Sequence, residues 1–187
     1  MKNITSFFIM ILYCLSADAD SKIEARLFEQ LKQGELIAIM RHALAPGTGD
    51  PDNFTLGQCN TQRNLSTKGR EQAKQIGERF RKYGITSADI YSSEWCRCMD
   101  TATELALGDV MTLPIINSFF RRNERAIEQT EALKGWLLER YNKRPKILVT
   151  HQVNMTSLTG VFPRSGEIVF IRVEPNTNLI IVEGTVL

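Results

Sequence analysis

The chain has only two histidines, His42 and His151, and each stands directly after an apolar run. Leu36-Ile37-Ala38-Ile39-Met40 leads into Arg41-His42, and Ile147-Leu148-Val149-Thr150 leads into His151. A neutral imidazole is a nucleophile and a base, and a protonated one donates hydrogen bonds to an anion. Arg41 precedes the first histidine, and Arg97 lies in the polar stretch Ser92–Ala102. Guanidinium forks grip phosphate oxygens in pairs. Two imidazoles and two guanidinium groups brought together would suit a phosphoryl group. His42 would attack phosphorus and divide one hard displacement into two easier ones through a phosphohistidine. Arg41, Arg97 and a protonated His151 would then stabilise the developing charge. A lone histidine after a strand is usually structural; it is the conjunction of the three segments that carries this reading.

Those segments need elements to bring them together. Short apolar runs bounded by polar residues read as buried strands, and ligands gather at the carboxyl ends of parallel strands in open α/β sheets. The spacing predicts a helix over Ile23–Lys32 ended by Gly34, then a strand over Leu36–Met40. A long loop, Ala43–Asn64, holds Pro46, Gly47, Gly49, Pro51 and Gly57. Loops of that length in compact domains are usually functional. Ser66 caps a second helix with Ala73, Ile76, Phe80 and Tyr83 inward, stopped by Gly84. Gly69, near its start, should cost little. A strand over Ala88–Tyr91, a helix over Trp95–Leu107, and a strand over Val110–Ile116 interrupted by Pro114 follow. A polar loop over Ser118–Arg125 leads to an amphipathic helix, Ala126–Tyr141, with Ile127, Leu133, Trp136 and Leu137 inward. Then come a strand over Lys146–Thr150, a short helix over Val153–Thr159, and strands over Glu167–Val173 and Leu179–Val186 joined by a turn at Pro175–Asn178. This order predicts an α/β fold, a three-layer sandwich whose mostly parallel central sheet is flanked by helices.

The N-terminus reads as a secretory signal. Lys2 supplies a positive charge, Phe7–Leu15 an apolar stretch, and Ala17-Asp18-Ala19 a small-residue cleavage pattern. The apolar stretch is short of the ~20 residues a spanning helix needs. Residues 1–19 are therefore expected to be a cleaved signal peptide and residues 20–187 one exported domain, periplasmic or secreted, with no stable membrane insertion after cleavage. With 23 Lys and Arg against 21 Asp and Glu, the net charge is +2. That balance argues against nucleic acid as a partner held by bulk charge. Three cysteines follow the signal: Cys59, Cys96 and Cys98. An oxidising compartment favours a disulfide, and a bridge from Cys59 to Cys96 or Cys98 would pin the long loop against the helix carrying Arg97. Cys-x-Cys with no histidine nearby is a poor zinc site, and buried thiols are the plainer alternative.

The same residues carry a family resemblance. Ile39-Met40-Arg41-His42-Ala43 resembles the Arg-His-Gly signature of the histidine phosphatase superfamily, the phosphoglycerate mutase-like proteins. Asn64–Ala73 resembles its helix start, Ser92-Ser93 with Arg97 and Thr101-Ala102 its second arginine motif, and Val149-Thr150-His151 its late histidine motif. The resemblance spans about residues 36–160. It implies that His42 is the phosphorylated nucleophile, that Arg41, Arg97 and His151 bind the phosphoryl group, and that the reaction needs no metal or cofactor. Two positions depart from the pattern. Ala43 replaces the usual glycine. Gln152 replaces the glycine that often follows the second histidine, and it excludes the His-Asp pair of the acid phosphatase branch; its backbone N–H and amide remain candidates to touch substrate.

Many members of that family use a glutamate after the third strand as general acid. Glu124 is the nearest match, with Asp50 and Asp52 on the long loop as rivals; any of them would need a raised pKa to donate a proton near neutrality. Arg63 is placed to line the rim. Arg121, Arg122 and Arg125 form a basic cluster that reads either as a solvated face or as a contact for a polyanionic substrate. The leading expectation is a phosphatase of phosphomonoesters or phosphohistidine acting on a small phosphorylated substrate. A non-catalytic phosphate-binding domain and, with less support, a phosphomutase are the alternatives; the segment between the third strand and His151 leaves no room for a large lid.

Overall fold

A computed structural model describes residues 20–139, 143–174 and 176–187. The expected signal peptide, Arg140 and Tyr141 at the end of the fourth predicted helix, and Pro175 of the last turn lie outside them. The elements run α1 (residues 20–32), β1 (Ile37–Arg41), α2 (Thr67–Lys82), β2 (Asp89–Ser92), α3 (Cys96–Glu104), β3 (Val110–Thr112), α4 (Ala126–Glu139), β4 (Lys146–Thr150), α5 (Gln152–Thr159), β5 (Ile168–Glu174) and β6 (Leu179–Val186). Short 3-10 turns occupy Cys59–Thr61, Pro114–Ile116 and Asn123–Arg125.

The six strands form one sheet in the order β3-β2-β4-β1-β5-β6. β3, β2, β4 and β1 are parallel neighbours, and β5 runs antiparallel to both β1 and β6. Alternate residues of the central strands feed two cores, as the two-residue period of a strand requires. Ala38, Met40, Ile90, Ile147 and Val149 face a core with Leu27, Phe28 and Leu31 of α1, Ile76 and Phe80 of α2, and Ala102 of α3. Ile37, Ile39, Leu148 and Val169 face the other, with Leu133 and Leu137 of α4 and Met155 and Leu158 of α5. The molecule is thus the expected three-layer α/β sandwich.

Local departures have local causes. β3 stops at Thr112, and Pro114 opens a 3-10 turn, because proline lacks the N–H a ladder needs. Ile127 is 81 % exposed and not inward. The buried stripe of α4 runs through Thr130, Leu133 and Leu137, and at 3.6 residues per turn Ile127 lies roughly 100° from its middle. Gly69 matters more than its place near a helix start implied: a Cβ there would overlap the carbonyl of Leu44. Its absence lets α2 press against the backbone just beyond His42, where Leu44 also accepts the Ser66 N–H at 3.1 Å.

Candidate active site

β4 lies between β1 and β2, so the parallel register sets three strand ends side by side. Arg41 pairs with Thr150, and Ser92 with Val149. Two backbone bonds carry the register past the strands: the His42 N–H donates to Thr150 O at 2.9 Å, and the Ser93 N–H to Val149 O at 3.0 Å. His42 and His151 consequently face each other, with ring centroids 5.6 Å apart and planes at 69°. Together with Arg41, Arg63, Arg97 and Gln152 they line one open pocket of about 490 Å³, completed by Gly47–Asp50 of the long loop and by Ser118, Phe120 and Val153.

The hydrogen bonds fix the state of each imidazole. His42 is buried, and its Nδ1 lies 2.8 Å from the carbonyl of Ala43. A carbonyl only accepts, so Nδ1 carries the proton and Nε2 keeps its lone pair. Burial, then the charge of Arg97, bring the His42 pKa down to about 3, although the Ala43 bond opposes this. His42 is therefore neutral near pH 7. The Arg97 guanidinium approaches His151 Nδ1 at 3.5 Å, and Ser93 Oγ lies 2.8 Å from Nε2. A guanidinium only donates, so His151 is the Nε2–H tautomer and donates to Ser93. Ser93 passes its own proton to Asn117 Oδ1 at 3.1 Å. Burial and then the charge of Arg97 hold the His151 pKa well below its ordinary value. The expectation of a protonated His151 is thus corrected: it stands neutral among three arginines.

Arg97 is 3 % exposed, near the start of α3. Its fork holds Asp50, with Nη1–Oδ1 at 2.7 Å and Nη2–Oδ2 at 3.2 Å. Asp50 also accepts from the Arg63 N–H at 3.1 Å and from the Trp95 indole at 3.0 Å. Burial alone would raise the Asp50 pKa, but the bonds and charge of Arg97, then Arg63 and Trp95, outweigh it and leave it below its ordinary value. Arg63 donates to the carbonyls of Gly49 and Ala45. Burial and the charge of Arg97 lower its pKa to about 10, still protonated at neutrality. Arg41 donates to Pro163 O at 3.0 Å. The Nε–H groups of Arg41 and Arg97 are buried with no partner, as expected of cations built to meet an anion. The side-chain amide of Gln152, the first residue of α5, donates to Thr156 Oγ1 at 2.9 Å. Ala43 replaces the glycine of the signature without strain, its N–H bonded to Thr101 Oγ1 at 3.0 Å.

The structure gathers His42, Arg41, Arg97, His151, Gln152 and Arg63 at one pocket. It does not bring Glu124 there: that residue is exposed on the turn Asn123–Arg125 and lines no part of the pocket. A 3-10 turn ahead of α4 carries it outward. Asp52 is exposed and outside the pocket as well, which leaves Asp50 as the carboxylate that reaches it. Cys59 and Cys96 form a disulfide with Cα atoms 5.6 Å apart, and Cys98 is a buried free thiol. The bridge ties the long loop to the first residue of α3, next to Arg97. Asn117, which links Ser93 to α5 by accepting from Asn154 at 2.9 Å, was not singled out by sequence; its place just after the third predicted strand was the available signal. Among the described residues, no group of three or more His, Cys, Asp or Glu side chains is disposed to hold a metal ion, and no helix is long and apolar enough to cross a membrane.

No curated protein matches this sequence. Residues 37–118 match the family model of the histidine phosphatase superfamily (branch 1). Three solved structures share the fold at low identity. The protein histidine phosphatase SixA complexed with tungstate is 13 % identical, with a TM-score of 0.57 over 80 % of this chain and 95 % of that one. A mycobacterial glucosyl-3-phosphoglycerate phosphatase is 16 % identical, with a TM-score of 0.57 over 79 % and 96 %. A phosphoserine phosphatase from Entamoeba histolytica, in complex with 3-phosphoglyceric acid, is 12 % identical, with a TM-score of 0.55 over 80 % and 95 %. The family match thus covers residues 37–118, and the likeness to the three structures is one of fold along most of each chain.

Proposed function

We propose that this protein is a phosphatase that hydrolyses phosphomonoesters or phosphohistidine through a phosphohistidine on His42. The observation that carries the reading is the state of His42: its Nδ1–H is committed to Ala43 O, leaving a neutral Nε2 lone pair in a pocket with three arginines. In the first step Nε2 attacks phosphorus and the bond to the leaving oxygen breaks. That oxygen takes a proton from the Asp50 carboxyl, which replaces Glu124 as the assigned acid. In the second step water attacks phosphorus, the P–N bond breaks, phosphate leaves, and Asp50 recovers a proton from the water. Arg41, Arg97 and Arg63 balance the charge on the phosphoryl oxygens, and no step calls for a metal ion. Asp50 is ionised at rest by Arg97. A bound phosphoryl group would draw Arg97 away and place negative charge beside Asp50, and both changes raise a carboxyl pKa. By the same logic His151, kept neutral by burial and the charge of Arg97, would take up a proton against the dianion.

Export to an oxidising compartment belongs to the same reading. The Cys59–Cys96 disulfide supports it, because such bonds are rare where thiols are kept reduced.

The test is rapid-quench labelling with a ³²P-labelled phosphomonoester, using wild type and His42→Ala. An alkali-stable, acid-labile label on wild type alone, with release of phosphate, is the expected result. Phosphate binding without label or release would establish instead the non-catalytic binding domain.

A further inference from the structure

Asn117 follows the 3-10 turn Pro114–Ile116 and precedes Ser118 of the pocket. The chain is tied here from three sides. The Ile116 carbonyl accepts from Thr150 Oγ1 at 2.7 Å, and the Asn117 carbonyl accepts from Gln129 of α4 at 2.5 Å and from Asn154 of α5 at 2.9 Å. Glu94 then orients the Asn117 amide: Nδ2 donates to the Glu94 carboxylate at 2.6 Å, and Oδ1 accepts from the Glu94 N–H at 2.9 Å. Turning the amide over would set its oxygen against a carboxylate and its NH₂ against an N–H, so one orientation is available. Oδ1 is therefore presented to Ser93 as an acceptor, 3.1 Å from Oγ.

Ser93 is fully buried, and its hydroxyl has one hydrogen and two lone pairs to place. With the hydrogen on Asn117, the lone pairs meet the Trp95 N–H at 3.4 Å and His151 Nε2 at 2.8 Å. Nε2 must then carry a proton. The Cys98 thiol, 3.5 Å from Nε2, is both a weak donor and a weak acceptor and selects neither form. Nδ1 is left as the unprotonated nitrogen, 3.5 Å from Arg97 Nη2. Arg97 favours the same tautomer, but its guanidinium is one that a phosphoryl ligand would engage. Asn117 lines no part of the pocket, so its hold on Ser93 does not depend on what the pocket contains.

We propose that Asn117, oriented by Glu94 and acting through Ser93, is a positioning residue that fixes the proton of neutral His151 on Nε2 and so reserves Nδ1 for the phosphoryl group. A proton taken up when an anion binds then goes to Nδ1 and donates to a phosphoryl oxygen, while Nε2–H stays on Ser93. The use made of this in catalysis rests on the phosphatase reading; the tautomer itself does not.

The test reads the tautomer without substrate. The chain has two histidines, so ¹⁵N-histidine labelling gives two ring systems in a long-range ¹H–¹⁵N spectrum. His42, with its Nδ1–H on Ala43 O, is the internal marker of an intact pocket. Arg97→Met removes the cation beside His151 Nδ1, and spectra are taken at about pH 8, where an ordinary imidazole is neutral. R97M should keep His151 as the Nε2–H form. Adding N117L should move the ratio of the two tautomers about tenfold toward Nδ1–H, the equivalent of one hydrogen bond, and give a visible mixture. R97M/N117D/E94Q exchanges donor and acceptor at the Glu94 contact yet still presents an oxygen to Ser93, and should return His151 to Nε2–H. Loss of the Nε2–H form in R97M alone, or an unchanged tautomer in R97M/N117L with the His42 marker intact, would overturn the proposal. Should R97M/N117L fail to fold, an Nδ1–H form in R97M/N117D/E94Q would overturn it equally. With Arg97 in place, N117L should lower turnover of a phosphomonoester about tenfold and N117D/E94Q should recover it. The expected tautomers with no phosphate release from wild type would remove the phosphatase reading and leave the role of Asn117 standing.

Discussion

Acidification should destabilise the protein through its two histidines by an amount that can be worked out for His42. In the unfolded chain that imidazole titrates near 6.5, whereas in the folded protein its pKa is about 3. Between these values the unfolded state binds the extra proton, so stability rises with pH and is lost as pH falls from about 6.5 toward 3. Going from pH 7 to pH 5, the His42 share of the loss is about 2 kcal/mol, at 1.36 kcal/mol per pH unit. His151 is shifted in the same direction and adds its own loss. His42→Asn isolates the first share, because the Asn amide can still donate to Ala43 O but does not titrate. Urea unfolding of wild type and variant at both pH values gives the comparison, with the disulfide intact. The wild type should lose about 2 kcal/mol more than the variant. Saturating phosphate should shrink the difference, because an anion in the pocket offsets the arginine charges that help lower both pKa values. Parallel pH dependences for the two proteins would refute the claim that His42 is held neutral by its surroundings.

Other consequences are equally open to measurement. Replacing Cys59 and Cys96 by serine should lower stability by up to about 4 kcal/mol in the chain-entropy treatment of a bridge across 37 positions, and limited proteolysis should then cut within residues 43–64. Gly69→Ala should cost about 1–3 kcal/mol by overpacking against Leu44, read by urea unfolding, with a fall in turnover because the displaced backbone adjoins His42. Arg97→Lys keeps the charge but loses the fork, so phosphate should bind about tenfold more weakly by calorimetry. Asp50→Asn should slow hydrolysis of alkyl phosphates by about 100-fold or more while affecting aryl phosphates with good leaving groups far less; equal losses for both would show that Asp50 positions Arg97 and does not donate the proton.

The parts of this molecule that were legible in advance are those governed by short-range rules. The apolar runs ending at Met40 and Thr150 marked two strands and the direction in which His42 and His151 leave them, and the parallel order of an α/β chain allowed the two ends to meet, as the pairing of β1 with β4 makes them do. Ser66 and Gly84 marked the limits of α2 because cap chemistry is local. What escaped was set by packing across long separations. Gly69 resembled an ordinary helix-start glycine, since its contact with Leu44 comes from the loop folding back. Ile127 fitted a helical period and was placed on the wrong face, one turn from residues whose burial depends on the sheet beneath. The carboxylate of the site was ambiguous for the same reason. Glu124, Asp50 and Asp52 are equivalent in a string of letters, and only the path of residues 43–64, anchored by the Cys59–Cys96 bridge, decides that Asp50 enters the pocket.

Burial, and after it the charge of Arg97, keeps the two histidines neutral, and the charge balance of the pocket shows what an anion would change. Three guanidinium groups and one carboxylate leave an excess of two positive charges before either imidazole is counted. Protonating His42 or His151 would add a third in a buried setting, and the charge of Arg97 contributes to lowering both pKa values. A phosphoryl dianion supplies the missing two negative charges. It also competes with Asp50 for the Nη groups of Arg97, whose Nε–H is buried without a partner. The same binding event therefore releases Asp50 toward its protonated form and makes a proton on His151 favourable, while His42 keeps its Nε2 lone pair because Nδ1–H stays bonded to Ala43 O. The nucleophile therefore stands ready beforehand, whereas the acid Asp50 and the anion donor His151 are brought to their reactive states by the group they act on, which follows from where Asp50 sits.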